Sequence, residues 1–261
     1  MPLNPLAKPF SPRNPATPHA QSPSVHPPPT QTAAPLKIGA INICSLRYKR
    51  AEVAALIRDR SYDVLGISET WLSPEIADGE LSIHGYNLHR NDRHGRMGGG
   101  VCFYYHQDLP IRARSDLHSD KIESAWLEIK GPLGCHLIGC IYRPPGESVS
   151  YWTDLEAVIL RAKLQSASIT MVGDFNVNMD PKQPGPQHHY LSDLCAAYGL
   201  KNIVREPTRE TPRCPNGTII DLILADPTHA TVATVVPLDI SDHSAVECNI
   251  QVDVPRTTRQ A

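Results

Sequence analysis

Polar side chains of the types that do acid–base and metal chemistry lie beside apolar, strand-like segments at several points in this chain of 261 residues. They are Asn42 after KIGAI, Glu69 after DVLGIS, Tyr142 after LIGCI, Asp174 and Asn176 after SITMVG, and Asp242 and His243 before SAVECNI. Because strands of one sheet end along a shared edge, we expect these side chains to lie close together. A carboxylate at such an edge is costly to desolvate unless it is paired, hydrogen-bonded or bound to a metal ion.

Glu69, Asp174 and Asp242 would offer hard oxygen ligands with no soft partner. Such a set is typical of Mg²⁺, with Mn²⁺ as the alternative, and argues against zinc. Taken alone, each of these residues is explained as a turn or cap residue, a role that Asp in particular often has. Their accumulation at strand ends favours the metal site.

His243 follows Asp242 directly, and Asp221 lies upstream in the apolar run GTIIDLIL. Asp221 and His243 could form a dyad in which the acid orients the imidazole and stabilises its cationic form. A metal ion beside such a dyad predicts chemistry on phosphate esters.

Six runs of the sequence resemble, in order and spacing, the motifs of the endonuclease/exonuclease/phosphatase superfamily over about residues 37–252. They are IGAINICSL, LGISETWL, IGCIYRPP, MVGDFNV, TIIDLIL and ISDHSAV. SETWL, the GGGV after a basic loop, YRPP, GDFN and SDH most resemble the endonuclease domain of LINE-type, Jockey-like non-LTR retrotransposons. One such motif is weak evidence, but six in one order argue against chance.

The resemblance implies that Asn42 and Glu69 hold the metal ion, with Glu69 as the main ligand, and that Asp242 completes the metal and water network. It thereby implies Mg²⁺ or Mn²⁺ as the cofactor. Relatives that act on abasic sites carry an acid where this chain has Cys44 and a lysine where it has Trp71. Specificity for abasic sites is therefore not expected.

The remaining matched residues have implied roles at the reacting phosphate. Tyr142 contacts the scissile phosphate, Asp174 orients or deprotonates the attacking water, and Asn176 binds a phosphate oxygen. His243 touches the phosphate and is oriented by Asp221.

Duplex DNA is the expected partner, although the net charge of −2 excludes a broad cationic surface. Arg93 and Arg96 precede three glycines and could contact the DNA backbone, unless this run is only a solvated hairpin loop. Arg209 lies ahead of Thr218, which aligns with a hydroxyl residue close to DNA in the family. A variable surface loop is the alternative for this second region.

Short apolar runs that alternate with helical patterns predict a mixed α/β domain. Strands are predicted at 37–42, 63–68, 86–90, 100–105, 123–129, 136–142, 168–173, 218–224 and 245–252, and helices at 49–60, 150–164 and 189–198. The resemblance implies a four-layer α/β sandwich, with two mixed β-sheets face to face and helices outside. The domain is expected to span 36–253, between a disordered Pro-rich tail at 1–35 and a C-terminal tail at 254–261.

The sequence has no signal-peptide pattern, no membrane-length apolar run and no paired cysteine motif among its seven cysteines. We therefore expect a monomer in the nucleus or cytoplasm, neither secreted nor bound to membranes. The chain lacks the reverse-transcriptase domain that follows this module in full-length elements, so a fragment or truncated copy is expected, with that domain as a partner.

The predicted function is Mg²⁺-dependent hydrolysis of DNA phosphodiesters, giving a nick with a 3′-hydroxyl that primes reverse transcription. Two alternatives stay open at this point. One is a phosphatase or phosphodiesterase with the same centre that acts on small phosphate esters. The other is a non-catalytic, domesticated fragment.

Overall fold

A computed structural model describes residues 35–131, 134–166 and 168–252. The predicted tail 1–35, apart from Pro35, and the predicted tail 254–261 lie outside these residues, so both stay predictions. In chain order the elements are β1 (Leu36–Asn42), α1 (Arg50–Arg60), β2 (Val64–Ser68), β3 (Tyr86–Asn91), β4 (Val101–His106), β5 (Ile111–Ala113), β6 (Glu123–Gly131), β7 (Gly134–Tyr142), α2 (Ser150–Gln165), β8 (Ser168–Asp174), α3 (Pro186–Ala197), β9 (Lys201–Asn202), β10 (Arg209–Thr211), β11 (Cys214–Thr218), β12 (Asp221–Ala225), β13 (Thr234–Val236) and β14 (Ala245–Ile250). Among the described residues, no helix is both long and apolar enough to cross a bilayer.

Two six-stranded mixed sheets carry the fold, with strand orders β13-β14-β1-β2-β4-β3 and β5-β6-β7-β8-β12-β9. Each sheet has one central parallel pair, β1 with β2 and β7 with β8, flanked by antiparallel neighbours. A helix connects the strands of each pair, α1 in the first sheet and α2 in the second. This is the crossover that a parallel pair requires.

The first sheet is buried on both faces, as its continuous apolar runs predict. On one face, Leu65 and Ile67 of β2 pack with Val53 and Ile57 of α1. On the other face the second sheet is so close that a Cβ on Gly66 would lie 3.0 Å from Val172 of β8 and 3.2 Å from Cys140 of β7. The second sheet in turn packs against the buried side chains of α2 and α3. The predicted four-layer α/β sandwich is thus confirmed.

The segment predicted as one strand over 218–224 is divided in two in the structure. β11 ends at Thr218 in a separate two-stranded sheet with β10, whereas β12 begins at Asp221 in the second large sheet. Ile219 and Ile220 link them, and their carbonyl groups accept hydrogen bonds from Met179 and Phe175. The apolar run is continuous because these linking residues are buried too, so hydrophobicity alone could not locate the break. Five short strands, β5, β9, β10, β11 and β13, were also not predicted as separate elements.

A hydrogen-bonded carboxylate joins the end of α1 to β14. Glu247 accepts hydrogen bonds from the Arg60 guanidinium, with Nε at 3.0 Å, and from Tyr62 Oη at 2.8 Å, and it lies 3.3 Å from Lys37 Nζ. Burial opposes the charged form, but the bonds from Arg60 and Tyr62 and the charge of Lys37 outweigh it, so the pKa of Glu247 lies below its usual value. This carboxylate therefore stabilises the fold when it is ionised.

Glu247→Gln should lower the free energy of unfolding at pH 7 by about 1–3 kcal/mol. A carboxylate whose pKa is lowered by folding stabilises the protein above its unfolded-state pKa, and the effect is lost as the pH falls through its folded-state pKa. The difference between variant and native chain should therefore shrink at acidic pH. Urea unfolding followed by circular dichroism at pH 7 and near pH 3 measures it.

Glu80→Gln is the matched control, because Glu80 accepts a hydrogen bond from Arg47 at 2.8 Å but both side chains are about half exposed. Its effect should stay below about 1 kcal/mol. An equal loss of stability in Glu247→Gln at both pH values would contradict the proposed role of the charge.

Candidate active site

The strand ends of both sheets meet at one place, and the residues singled out from the sequence are gathered there. In the first sheet Asn42 ends β1 opposite Ser68, the last residue of β2, so that Glu69 follows beside it. In the second sheet Tyr142 ends β7 opposite Asp174, which ends β8. Asp221 begins β12 as the antiparallel partner of Asp174, and Asp242 and His243 lie just before β14, which pairs with β1.

Glu69 is the centre of the first cluster. Its Oε1 accepts hydrogen bonds from Asn42 Nδ2 at 3.1 Å and from Tyr142 Oη at 2.8 Å, and its Oε2 accepts one from Trp71 Nε1 at 3.2 Å. Burial, and then the charge of Glu69, raises the pKa of Tyr142 far above its ordinary value. Tyr142 is thus a neutral hydroxyl that donates its proton to the carboxylate.

Cys44 lies between the three residues predicted to hold a metal ion. Its Sγ is 3.4 Å from Asn42 Oδ1, 3.8 Å from Glu69 Oε2 and 3.6 Å from Asp242 Oδ1. This sulfur, which the loop after β1 turns inward, was not anticipated from the sequence, and the set of oxygen ligands stays a prediction. Burial, followed by the charges of Glu69 and Asp242, raises the pKa of Cys44 to about 12. The sulfur is a protonated thiol, and the charged donors around it are carboxylates.

Asp174 is buried and held from both sheets. It accepts hydrogen bonds from Asn42 Nδ2 at 2.9 Å and from the backbone N–H of Asn176 at 2.8 Å. Burial, and next the charge of Asp221, raises the pKa of Asp174 to about 7, although these hydrogen bonds work in the opposite direction. The Asn176 amide nitrogen also donates to the Arg143 carbonyl at 2.8 Å and lies 3.3 Å from Asp174 Oδ2. Asn176 is therefore already bonded to protein acceptors here, and its predicted contact with phosphate stays a prediction.

Asp221 and His243 lie as a dyad, with His243 Nδ1 2.8 Å from Asp221 Oδ2, and both are almost fully buried. Burial alone would disfavour the imidazolium, but the hydrogen bond and charge of Asp221 and the charge of Asp174 leave the pKa of His243 raised. Thr208 Oγ1 donates a second hydrogen bond to the same Asp221 oxygen at 2.7 Å. The other oxygen of Asp221 is buried without a partner among the described residues.

Thr208 is a site residue that the sequence did not reveal. It lies in the run EPTRE, outside every motif, and it is brought to Asp221 by the hydrogen bond from its N–H to the Thr218 carbonyl at 2.8 Å. Ser241 was missed as well. Its hydroxyl donates to the Asn42 carbonyl at 2.6 Å and so fixes the segment before β14 against the end of β1.

Arg209 and Thr218, both predicted to contact DNA, lie opposite each other in the β10–β11 pair. Arg209 directs Nε and a terminal nitrogen to Asp242 Oδ2, at 3.0 and 2.7 Å. Burial opposes the effect, but these bonds and the charge of His243 keep the pKa of Asp242 below its usual value. This ion pair places the partly exposed guanidinium of Arg209 directly beside Asp242, one of the predicted metal ligands.

Arg93 and Arg96 lie in the loop between β3 and β4, on the side of the site where Tyr142 lies. Arg93 Nε donates to Glu123 at 2.7 Å, and its guanidinium lies 5.5 Å above the ring of Tyr142. Arg96 is largely exposed and reaches Glu123 and Glu147 only at 3.9 Å. Contacts with DNA stay a prediction for both. Glu123, which also accepts the Gly100 N–H at 2.8 Å, had no signal in the sequence.

Two neighbouring sets of donors, linked by the hydrogen bond from Asn42 to Asp174, are available to a divalent cation. Oxygens of Asn42, Glu69 and Asp242 surround the position of the Cys44 sulfur, as described above. Asp174, Asp221 and His243 form the second set, with ligand atoms within 4.8 Å of one another. In this second set the facing Nδ1 and Oδ2 atoms are already bonded to each other. In the first set Asp242 Oδ1 faces the neutral thiol, and Glu69 Oε2 faces the thiol and the Trp71 N–H group. The first set fits a small, hard cation better.

A profile of the Endonuclease/Exonuclease/phosphatase family matches residues 39–243 of the chain. Comparison with curated protein sequences finds no significant match. Among solved structures, the chain is similar to the endonuclease domain of TRAS1, a telomere-specific non-LTR retrotransposon, with a TM-score of 0.67 and 15% identity, covering 84% of this chain and 100% of that one. It is also similar to the 3′-5′ exonuclease NExo of Neisseria meningitidis (TM-score 0.66, 17% identity, 83% and 100% covered) and to the AP endonuclease LMAP of Leishmania major (0.68, 13%, 83% and 87%).

Proposed function

Because the chain belongs to the endonuclease/exonuclease/phosphatase family, we propose that it is a Mg²⁺-dependent endonuclease that nicks duplex DNA and leaves a 3′-hydroxyl. The observation that carries this proposal is the joining of two clusters by Asn42. Its amide nitrogen donates both to Glu69 and to Asp174, which in turn lies beside the Asp221–His243 dyad. Asn42 thus links the residues proposed to hold the metal ion to the residues proposed to transfer protons.

The carboxylates of Glu69 and Asp242, with the side-chain amide oxygen Oδ1 of Asn42, would hold the cation. When bound, Mg²⁺ supplies positive charge that polarises a phosphoryl oxygen and stabilises the charge that develops on it. Mn²⁺ has similar ligand preferences and is the expected substitute. The Cys44 thiol is the one soft atom in this set, so the chain's carboxylates must supply the charge.

The protein's own groups would orient and move protons at the reacting phosphate. Asp174 is held by Asn42 and Asn176 and has a pKa near 7, so it can orient a water molecule and accept its proton. His243, whose pKa is raised, would donate a charged hydrogen bond to a phosphate oxygen while Asp221 fixes its tautomer. Tyr142 and Asn176 would contact the remaining oxygens.

In-line attack of water on phosphorus would form a new P–O bond and break the bond to the 3′ oxygen of the preceding nucleotide. The 3′ oxygen takes up a proton and leaves as a hydroxyl, and the phosphate stays on the 5′ oxygen of the next nucleotide. Such a 3′-hydroxyl end can prime DNA synthesis. The similarity to the retrotransposon endonuclease domain of TRAS1 over its whole length supports this use, with a reverse-transcriptase domain as the partner that extends the primer. Nuclear residence would follow from that role.

A 3′-phosphatase or exonuclease that trims DNA ends is the second candidate. One similar structure is the 3′ phosphatase NExo from Neisseria bound to a product DNA hairpin, with a TM-score of 0.65 and 17% identity. Both candidates would use the same centre, so the substrate must discriminate between them.

The deciding experiment is incubation of the purified protein with supercoiled plasmid, with Mg²⁺ or with excess EDTA. We expect nicked circles with Mg²⁺ whose ends a polymerase extends directly, and none with EDTA. A parallel assay uses 3′-phosphorylated oligonucleotides and an inositol phosphate. Release of phosphate from either one without nicking of plasmid would refute the endonuclease proposal.

Binding to duplex DNA should be weak and salt-sensitive, since a chain of net charge −2 depends on a few local cations. Arg96→Ala should weaken binding at every sequence and reduce the slope of log affinity against log salt by about one. Fluorescence anisotropy of a labelled duplex in EDTA, across a salt series, measures the slope. Arg58→Ala is the control, because the Arg58 side chain is also largely exposed (73%, against 61% for Arg96) but lies on α1 and pairs with Asp59. The same slope in all three proteins would exclude Arg96 from the DNA surface.

A further inference from the structure

Trp71 differs from the other two tryptophans of the chain in its surroundings. Trp126 and Trp152 are 1% and 6% exposed and belong to the core, whereas Trp71 is 49% exposed. Its exposed ring does not belong to the hydrophobic core. Because single exposed apolar side chains are common, it is the position of this ring that points to a ligand.

The indole is fixed beside the candidate metal site. Its Nε1 donates to Glu69 Oε2 at 3.2 Å, and its backbone N–H donates to the Gly99 carbonyl at 2.9 Å. Trp71 also adopts φ = +54°, a left-handed conformation that is unfavourable for a bulky residue. Strain of this kind is typical of functional sites, where the surrounding structure maintains it. The ring is therefore held in place before any ligand arrives.

The chemistry around the ring suits a nucleobase. Glu69 is one of the groups that would hold the metal ion at the scissile phosphate, so a ring bonded to Glu69 lies within about one nucleotide of that phosphate. Arg93 lies on the adjoining loop, where it pairs with Glu123, and a Cβ on Gly98 would lie 3.7 Å from Trp71 Nε1 and 3.8 Å from Arg93 Nη1. A half-exposed aromatic ring close to the phosphate-binding groups is a surface on which an unstacked base can stack.

We propose that Trp71 is a stacking platform for a base next to the cleaved phosphodiester, so that the preferred substrate is DNA in which this base is unpaired or easily unstacked. The proposal rests on the proposed endonuclease function. A fully paired duplex must first unstack the base, which costs a few kcal/mol, whereas a bulged base is already available. Stacking on an aromatic side chain is tolerant of sequence, so the identity of the base matters less than whether it is unpaired.

The test measures binding in EDTA, where no cleavage occurs, of a duplex with one bulged 2-aminopurine and of the same sequence fully paired. Trp71→Ala should weaken binding to the bulged DNA by roughly 5- to 150-fold, the equivalent of about 1–3 kcal/mol. Its effect on the paired duplex should be much smaller. The native protein should quench 2-aminopurine emission on binding, and Trp71→Ala should not.

Trp71→Phe separates stacking from the hydrogen bond to Glu69, because phenylalanine keeps an aromatic ring and lacks the N–H group. We expect it to retain most of the affinity and the quenching. Tyr190→Ala is the matched control, since Tyr190 is 45% exposed but lies on α3, and it should bind both DNAs like the native protein.

Equal losses of affinity for the bulged DNA in Trp71→Phe and Trp71→Ala would show that the N–H group acts by orienting Glu69, and would overturn the proposed stacking role. Native affinity of Trp71→Ala for the bulged DNA would overturn it as well, while nicking by that variant would leave the endonuclease function intact. Failure of the native protein to bind either DNA would refute the proposed function itself, and the platform with it.

Discussion

Glu69→Gln should reduce nicking of supercoiled plasmid in Mg²⁺ by about a thousandfold, because the loss of the proposed main anionic ligand would remove several kcal/mol of charge stabilisation at the phosphate. Glutamine has nearly the same shape and can still accept hydrogen bonds from Asn42 and Tyr142, so the fold should survive. The initial rate of conversion to nicked circles measures the effect, and far-ultraviolet circular dichroism checks the fold.

Metal binding provides a second measurement that does not depend on turnover. Mn²⁺ should raise the melting temperature of the native protein, because a ligand that binds only the folded state stabilises it. The shift should be lost in Glu69→Gln and kept in Glu80→Gln, whose carboxylate lies on the surface beside Arg47. Undiminished nicking in excess chelator, or an equal shift in both variants, would refute the assignment of the cation to Glu69.

His243→Ala should slow nicking by about 10²–10⁴-fold, the usual cost of losing a positioned acid–base or charged hydrogen-bond donor. Its affinity for DNA should stay near the native value, because the cations proposed to contact the backbone are elsewhere. Asp221→Asn should also slow the reaction, since a neutral amide can hold the ring but cannot stabilise the imidazolium or fix its tautomer.

The double variant His243→Ala with Asp221→Asn tests whether the two residues act together. If Asp221 acts through His243, the double variant should be hardly slower than His243→Ala alone. Thr208→Val also weakens the hold on Asp221 Oδ2, but it removes the acceptor of the Ile220 and Asp221 N–H groups too, so circular dichroism must first show that it folds. Near-native nicking by His243→Ala would instead make the SDH run a turn before a strand and would refute the proposed catalytic role of the dyad.

The residues at the ends of long apolar strands were predictable from the sequence. Asn42, Glu69, Tyr142 and Asp174 follow the two central parallel pairs, whose continuous apolar runs mark strands buried on both faces. Because connecting helices force these strands to run in the same direction, their carboxyl ends must lie together. The family motifs added the roles, which the spacing of residues alone does not give.

Features that depend on irregular backbone were not predictable. The break after Thr218 lies inside an apolar run, and the bond from Thr208 to Asp221 depends on a two-stranded sheet of three- and five-residue strands. The inward turn of Cys44 depends on φ = +45°, a conformation that no local sequence preference indicates for cysteine. In each case tertiary contacts, not residue type, determine the geometry.

The pairing of β14 with β1 has a consequence for the protein as it is synthesised. β1 is made early, but its neighbour on one side is made more than 200 residues later, and Leu36 pairs with Ile250 at the far end of the register. Ser241, Asp242 and His243 lie just before β14, and the Ser241 hydroxyl donates to the Asn42 backbone carbonyl at the end of β1. A nascent chain on the ribosome therefore cannot complete the proposed catalytic centre until β14 has emerged, and we expect a product of premature termination before β14 to lack the proposed activity even if the second sheet has formed.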